Sequence, residues 1–135
     1  MKIMGIDYGK RRIGLSICDE MEVLATPIGA INEGNFKVQL VKVAEKVSEY
    51  TAKKIVLGLP KNMDGSLGFS AELVNEFGEK LQNITGIPVI YLDERLTTVT
   101  AATYLNEMNV RGSKRKNAID TLSAVIILQD YLDAK

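Results

Sequence analysis

Residues 1–19 read MKIMGIDYGKRRIGLSICD. The piece MKIMGIDYG has the character of a strand. RRIGLSICD alternates in polarity after a Tyr-Gly-Lys turn, so the two pair as a hairpin. EVLATPIGAI, residues 22–31, reads as a third strand, with Pro27 placing it near a sheet edge. Three consecutive strands make an antiparallel meander. One residue does not belong to this apolar pattern: Asp7, flanked by Gly5 and Gly9 and followed at once by Lys10, Arg11 and Arg12.

Beyond the meander the period changes. Phe36, Leu40, Val41, Ala44 and Val47 fall on one helical face. KKIVLGLP, residues 53–60, is a short continuous apolar run of the kind a buried parallel strand shows. Val74, Phe77 and Leu81 mark a second amphipathic helix, ended near Gly86 and Pro88. IPVIYLDE, residues 87–94, is another buried strand. Thr97 or Thr98 caps a third helix carrying Ala101, Leu105 and Met108. A last helix, apolar nearly all round, is expected from about Asn117 to Leu132. The order β-β-β-α-β-α-β-α-α predicts an α/β domain spanning 1–135: a mixed five-stranded sheet, formed by the meander and two right-handed parallel crossovers, with helices on both faces. This is the element order of the ribonuclease H-like fold.

Composition narrows the chemistry. The chain has 135 residues, enough for one core, and is 46% apolar and 25% charged, as a globular protein is. It has no run of about 20 apolar residues and no signal-peptide pattern at its start. With one cysteine and therefore no internal disulfide, it is expected to be cytoplasmic and not bound to a membrane. Cys18, in the run IGLSIC, suits a buried structural thiol. There is no histidine, which excludes histidine base chemistry, histidine metal ligation and every Ser-His or Cys-His arrangement. Seventeen cations balance seventeen acids, so bulk charge does not drive nucleic-acid binding. The cations are unevenly placed, however. Lys10–Arg12 is one basic patch, and RGSKRKN at 111–117, with Lys114, Arg115 and Lys116, is another. Either alone reads as a solvated loop.

Three acids stand out by context. Asp7 lies in the first strand. Glu94 follows VIYL at a strand's C-terminal end, where open α/β sheets place ligands. Asp120 begins the last helix. Each has an ordinary explanation: a turn for Asp7, a pairing with Arg95 or Lys54 for Glu94, and the helix dipole for Asp120, worth about 0.3–1 kcal/mol. Topology adds to the case. In a meander-plus-crossovers sheet the first strand is central, and a last helix crossing it is positioned to carry Asp120 over Asp7. Converging carboxylates suit Mg²⁺ or Mn²⁺, which prefer oxygen ligands. Such ions support phosphodiester cleavage, with nearby cations holding the phosphate backbone. GLPKNMDGSLG, residues 58–68, leads into the second helix and is too glycine-rich for an ordinary connection. It lacks the P-loop pattern, and its N–H groups are placed either to receive a phosphate or to form a tight turn.

Four pieces together resemble one family. GIDYGKRRIGLSICD, VLGLPKNMDGSLG, DERLTT and KRKNAIDTLSAVIILQDYL occur here in the order found in the YqgF/RuvX-type pre-16S ribosomal RNA nucleases, also called Holliday-junction-resolvase-like proteins, and span nearly the whole chain. Alanine is commoner in the family at two positions, where Ser16 and Ser123 stand here. The resemblance implies a ribonuclease H-like fold and a cytoplasmic bacterial protein. It also implies divalent-metal-dependent cleavage at the 5′ end of 16S ribosomal RNA in a ribosomal subunit precursor. It places catalytic and metal-binding roles on Asp7, Glu94 and Asp120, with Asp93 as the alternative to Glu94. It implies substrate contacts at Arg12, Lys61, Asn62 and Arg95.

The residues leave other readings open. One is a DNA junction resolvase acting on branched DNA, for which a homodimer rather than a monomer is expected. Another is a non-catalytic RNA-binding module of ribosome assembly, in which the basic loops act and the acids are structural. A third is an ATP-binding fold of the sugar-kinase and actin type, whose phosphate loop resembles GIDYG. That fold needs two related domains, which 135 residues cannot hold.

Overall fold

The computed structural model describes residues 1–59, 69–93 and 112–134, and of residues 69–70 and 112–120 the backbone alone. The elements run β1 (Ile3–Asp7), β2 (Arg12–Cys18), β3 (Ala25–Asn32), α1 (Phe36–Glu49), β4 (Lys54–Leu59), α2 (Phe69–Thr85), β5 (Val89–Asp93) and α3 (Gly112–Asp133). The expected helix from Thr97 or Thr98 to Met108 lies outside the described residues, as do positions 60–68 of the glycine-rich stretch.

The sheet has the order β3-β2-β1-β4-β5. β1 pairs antiparallel with β2, and β2 with β3, which is the expected meander. β4 joins β1 in parallel, and β5 joins β4 in parallel. The first strand is therefore central, and Pro27 sits on an edge strand, as expected, beside a register shift in the β2–β3 pairing.

The pleat divides the side chains between two layers. Met4 and Ile6 of β1, Ile13 and Leu15 of β2, and Ile55 and Leu57 of β4 pack against Leu40, Val43, Val47, Val74, Phe77 and Leu81 of α1 and α2. Ile3, Cys18 and Val56 pack on the other face with Ile127, Leu128 and Leu132 of α3. β4 is thus covered on both sides, which is why it reads as an unbroken apolar run. Each such side chain contributes about 1.5–3 kcal/mol on burial. Cys18 is buried as expected, its sulfur accepting from the Ile3 amide at 3.2 Å, and burial pushes its thiol pKa up. No helix among the described residues is long and apolar enough to cross a membrane.

Two element boundaries and one helix face differ from the sequence expectation. β3 begins at Ala25 because Glu22–Leu24 belong to a turn: the Asp19 carboxylate accepts from the Val23 and Leu24 amides at 2.8 and 3.4 Å, and Glu22 takes φ 58°. The buried face of α1 is rotated from the expected one. Gln39, Leu40, Val43 and Val47 are inside, and Val41 is 54% exposed. α3 begins at Gly112, five residues before Asn117, so Lys114, Arg115 and Lys116 lie on its first turns and not in a loop. Lysine and arginine are good helix formers, and nothing between Gly112 and Asn117 breaks the helix.

Candidate active site

Alternation along β1 assigns Asp7 to a face. Met4 and Ile6 point to α1 and α2, and Ile3 points to α3. Gly5 and Asp7 follow Ile3 by the two-residue period, on the α3 side. Gly5 is where strand and helix meet. A Cβ there would lie 2.7 Å from the Leu128 Cβ and 2.8 Å from the Ala124 carbonyl. Ser16, beside it on β2, donates its hydroxyl to the same Ala124 carbonyl at 2.8 Å. Asp7 is one strand period further on, half-buried, at the C-terminal end of the central strand.

The helix runs opposite to β1. The Lys54 ammonium, at the start of β4 beside Ile3, donates to the Tyr131 hydroxyl at 3.1 Å, whereas Ala124 lies over Gly5. Moving back along α3 from Tyr131 to Ala124 therefore moves toward the Asp7 end of the sheet. The backbone of position 120 is one further turn in that direction, a rise of about 6 Å. Asp7 is likewise about 6–7 Å beyond Gly5 along the strand. The two positions step from one crossing toward the same end.

Within the sheet, glycines flank Asp7 on both sides. Gly14 of β2 stands directly opposite it. On the other side, Ile6 pairs with Leu57, so the next residue, Gly58, flanks Asp7 from β4. Gly58 follows Leu57 and so shares the face of Val56. Neither neighbour puts a side chain beside the carboxylate. Arg12 begins β2 two residues from Gly14, on the same face and at the same end, with its Nε donating to Asn32 Oδ1 at 2.9 Å.

Asp93 lies at the same end of the sheet but on the opposite face. It stands opposite Leu59 and follows Tyr91 by one strand period, and both of those pack with the α1–α2 layer. Leu92 packs with the α3 layer. Glu94, Arg95, Lys61 and Asn62 lie outside the described residues. Asp120, Lys114, Arg115 and Lys116 are described in backbone only, as successive parts of α3. Among the described residues no three of histidine, cysteine, aspartate and glutamate converge.

The turn linking Asp7 to Arg12 is tied down from below. Gln39, a residue the sequence reading did not single out, donates to carbonyls in that turn and accepts from the Tyr8 hydroxyl. Burial, with a smaller contribution from the Glu76 charge, pushes the Tyr8 phenol up from its usual pKa, so it remains a donor. Gly9 is required by close approach, since a Cβ there would strike the Arg12 carbonyl.

Comparison with known proteins identifies the family and the fold. Residues 1–134 match the family described as RuvX: Holliday junction resolvase. A Caldanaerobacter subterraneus subsp. tengcongensis protein named "Putative pre-16S rRNA nuclease" is 43% identical over 136 residues, covering 100% of this chain and 98% of its own. An Enterococcus faecalis protein of the same name is 44% identical over 137 residues, covering 99% and 98%. Among solved structures, Thermus thermophilus RuvC in complex with a Holliday junction substrate superposes with a TM-score of 0.63 at 14% identity. It covers 99% of this chain and 94% of its own, a likeness of fold that is ribonuclease H-like. The chain belongs to the RuvX Holliday junction resolvase family, a family of nucleases.

Proposed function

We propose that this chain is a divalent-metal-dependent endonuclease that trims the 5′ end of pre-16S ribosomal RNA in the cytoplasm, with Asp7, Glu94 and Asp120 as its catalytic carboxylates. One observation carries the reading. Asp7 closes the central strand on the face that α3 covers, between two glycine positions, and the α3 backbone passes from Ala124 toward it. The position of Asp93 on the other face favours Glu94 over Asp93 as the partner of Asp7.

The donor set fits Mg²⁺ or Mn²⁺. Three carboxylates offer only hard oxygens, histidine is absent, and the single cysteine is buried against the Ile3 amide. Gly14 and Gly58, the neighbours of Asp7 in the sheet, contribute no side chain of their own there. Asp7, Glu94 and Asp120 would hold the ion, which supplies Lewis-acidic charge at the scissile phosphate. The protein's own cations do the rest. Arg12, on the Asp7 face, orients the phosphate backbone, joined by Lys61, Asn62 and Arg95. Lys114, Arg115 and Lys116, on the first turns of α3, extend the basic track past the Asp7 end of the sheet and add affinity without reading sequence.

The family name favours a second reading, cleavage of branched DNA. The deciding experiment presents the parent and Asp7→Asn with a pre-16S transcript and, separately, a four-way DNA junction, in Mg²⁺ or Mn²⁺ and in chelator. The parent is expected to cut the transcript only with metal. Asp7→Asn should lose cleavage by about 100-fold or more while binding RNA as the parent does. Cleavage that persists in Asp7→Asn removes the assignment. Cutting of the junction alone selects the resolvase reading. Equal RNA binding with no cutting by either protein selects the binding-module reading.

A further inference from the structure

Gln39 lies in the apolar stripe of α1 and is 1% exposed. Its amide nitrogen donates to the carbonyls of Glu33 at 2.6 Å, Lys10 at 3.0 Å and Gly9 at 3.2 Å. Its carbonyl oxygen accepts from the Tyr8 hydroxyl at 2.9 Å. An amide has two N–H hydrogens, so three carbonyls share them and the donor capacity is used in full. The Tyr8 ring is in turn packed on Phe77, centroids 4.5 Å apart, inside the α1–α2 core. Glu33 adds a second tie through its backbone, which donates to the Arg11 carbonyl at 3.0 Å.

The location gives these bonds their meaning. The β1–β2 ladder ends at the Asp7–Gly14 pair, so it does not order residues 8–11. Carbonyls in an exposed turn ordinarily bond to water, and those of Gly9 and Lys10 instead meet a buried carboxamide. The segment so held begins at the residue after Asp7 and ends at the residue before Arg12. Catalytic groups lose rate steeply when displaced by fractions of an ångström, and rigid support from behind is how that displacement is prevented.

We propose that Gln39 is a positioning residue for cleavage: its carboxamide fixes the turn from Tyr8 to Arg11, and with it the aim of Asp7 and the placement of Arg12, without touching substrate. This rests on the reading of Asp7 as a catalytic carboxylate. No other common side chain reproduces the pattern. Methionine keeps the length and removes the donors. Glutamate keeps an acceptor for Tyr8, but as a carboxylate it offers no donor to three carbonyls, and when protonated it offers one.

The test uses the full chain with steady-state cleavage of the pre-16S transcript and amide hydrogen exchange. Gln39→Met is expected to lower kcat by roughly tenfold or more, with KM changed far less, and to speed exchange of the amides of residues 9–12 while those of β4 stay protected. The Gln39→Glu deficit relative to the parent is expected to shrink as pH falls from about 8 to about 6, where a buried carboxyl facing carbonyls takes up its proton. Val43→Ala, buried on the same helix and not bonded to the turn, is the stability control and is expected to keep the parent kcat. Parent-like kcat in folded Gln39→Met overturns the proposal, as does a loss in Val43→Ala that tracks its melting temperature equally. If Gln39→Met does not fold, Tyr8→Phe, which frees the carboxamide to rotate, must still lower kcat and loosen the turn, and an unchanged kcat there overturns the proposal. A parent that cuts nothing defeats the nuclease reading instead. In that case unaltered exchange at residues 9–12 in Gln39→Met defeats the clamp separately.

Discussion

Two serines at the α3 interface have opposite energetics. Ser16 is fully buried and satisfied, its hydroxyl bonded to the Ala124 carbonyl. Ser123, the residue before Ala124, is equally buried, and its hydroxyl has no hydrogen-bond partner among the described residues. A made hydrogen bond contributes about 0.5–1.5 kcal/mol net, whereas a buried hydroxyl without one carries a desolvation penalty of about 1–3 kcal/mol. Ser16→Ala is therefore expected to lower stability by about 1 kcal/mol, and Ser123→Ala to raise it by a similar amount. Thermal unfolding of the two variants checks this, and melting temperatures that move in the same direction contradict it. Polar residues of this kind were only partly legible beforehand. Asp7 announced itself because a carboxylate interrupts an apolar strand. Gln39 did not, because one polar residue beside Leu40 in an amphipathic helix reads as solvent-facing. Its partners come from residues 8–10 and 33, and no local pattern joins those to α1.

At the scale of elements, the contact between β1 and α3 sets the relation of the two acids that each element carries. Gly5 permits it: an added methyl meets the Leu128 Cβ, the Ala124 carbonyl and the Ser16 hydroxyl, all within 2.5–2.8 Å. Two of the three are held by helix or strand and cannot swing aside, so α3 must move off the sheet. Gly5→Ala is expected to cost about 1–3 kcal/mol by overpacking. It should also lower cleavage beyond what the lost stability explains, because it separates the helix bearing Asp120 from Asp7. Activity assayed well below the melting temperature, beside a core variant of equal instability such as Val43→Ala, distinguishes the two effects. Equal activity in the pair would detach the helix position from catalysis. The sequence revealed this architecture well where a period was clean. The strand character of β1, the alternation of β2 and the continuous run of β4 foretold the meander and the parallel crossover. It was less informative at ends. The β3 boundary was moved by the Asp19 carboxylate capturing two amides, and α3 gained its first turns from residues whose charge read as loop. The approach of α3 to Asp7 depends on register between elements far apart in the chain, which spacing does not encode.

Over the whole molecule the formal charge is zero, so attraction to a polyanion comes from where the cations are placed. Lys10, Arg11 and Arg12 sit at the Asp7 end of the sheet, and Lys114, Arg115 and Lys116 occupy the first turns of α3, whose N-terminal part lies toward that same end. Under the proposed function these two groups bracket the carboxylates, with phosphate binding at the flanks and the reaction between them. Affinity and chemistry should therefore separate by mutation. Neutralising Lys114, Arg115 and Lys116 together to glutamine is expected to weaken RNA binding. It should reduce the slope of log affinity against log salt by about one unit for each phosphate left without its cation, up to about three. At saturating RNA the rate should stay near that of the parent, since no carboxylate has changed. Asp7→Asn should do the reverse, leaving affinity and slope alone and removing turnover. Binding isotherms over a series of salt concentrations, with single-turnover cleavage on the same proteins, measure both quantities. An unchanged slope in the triple variant takes the start of α3 out of the interface. A parallel fall in slope and single-turnover rate instead assigns those cations to the scissile phosphate, and so moves the reaction centre along α3.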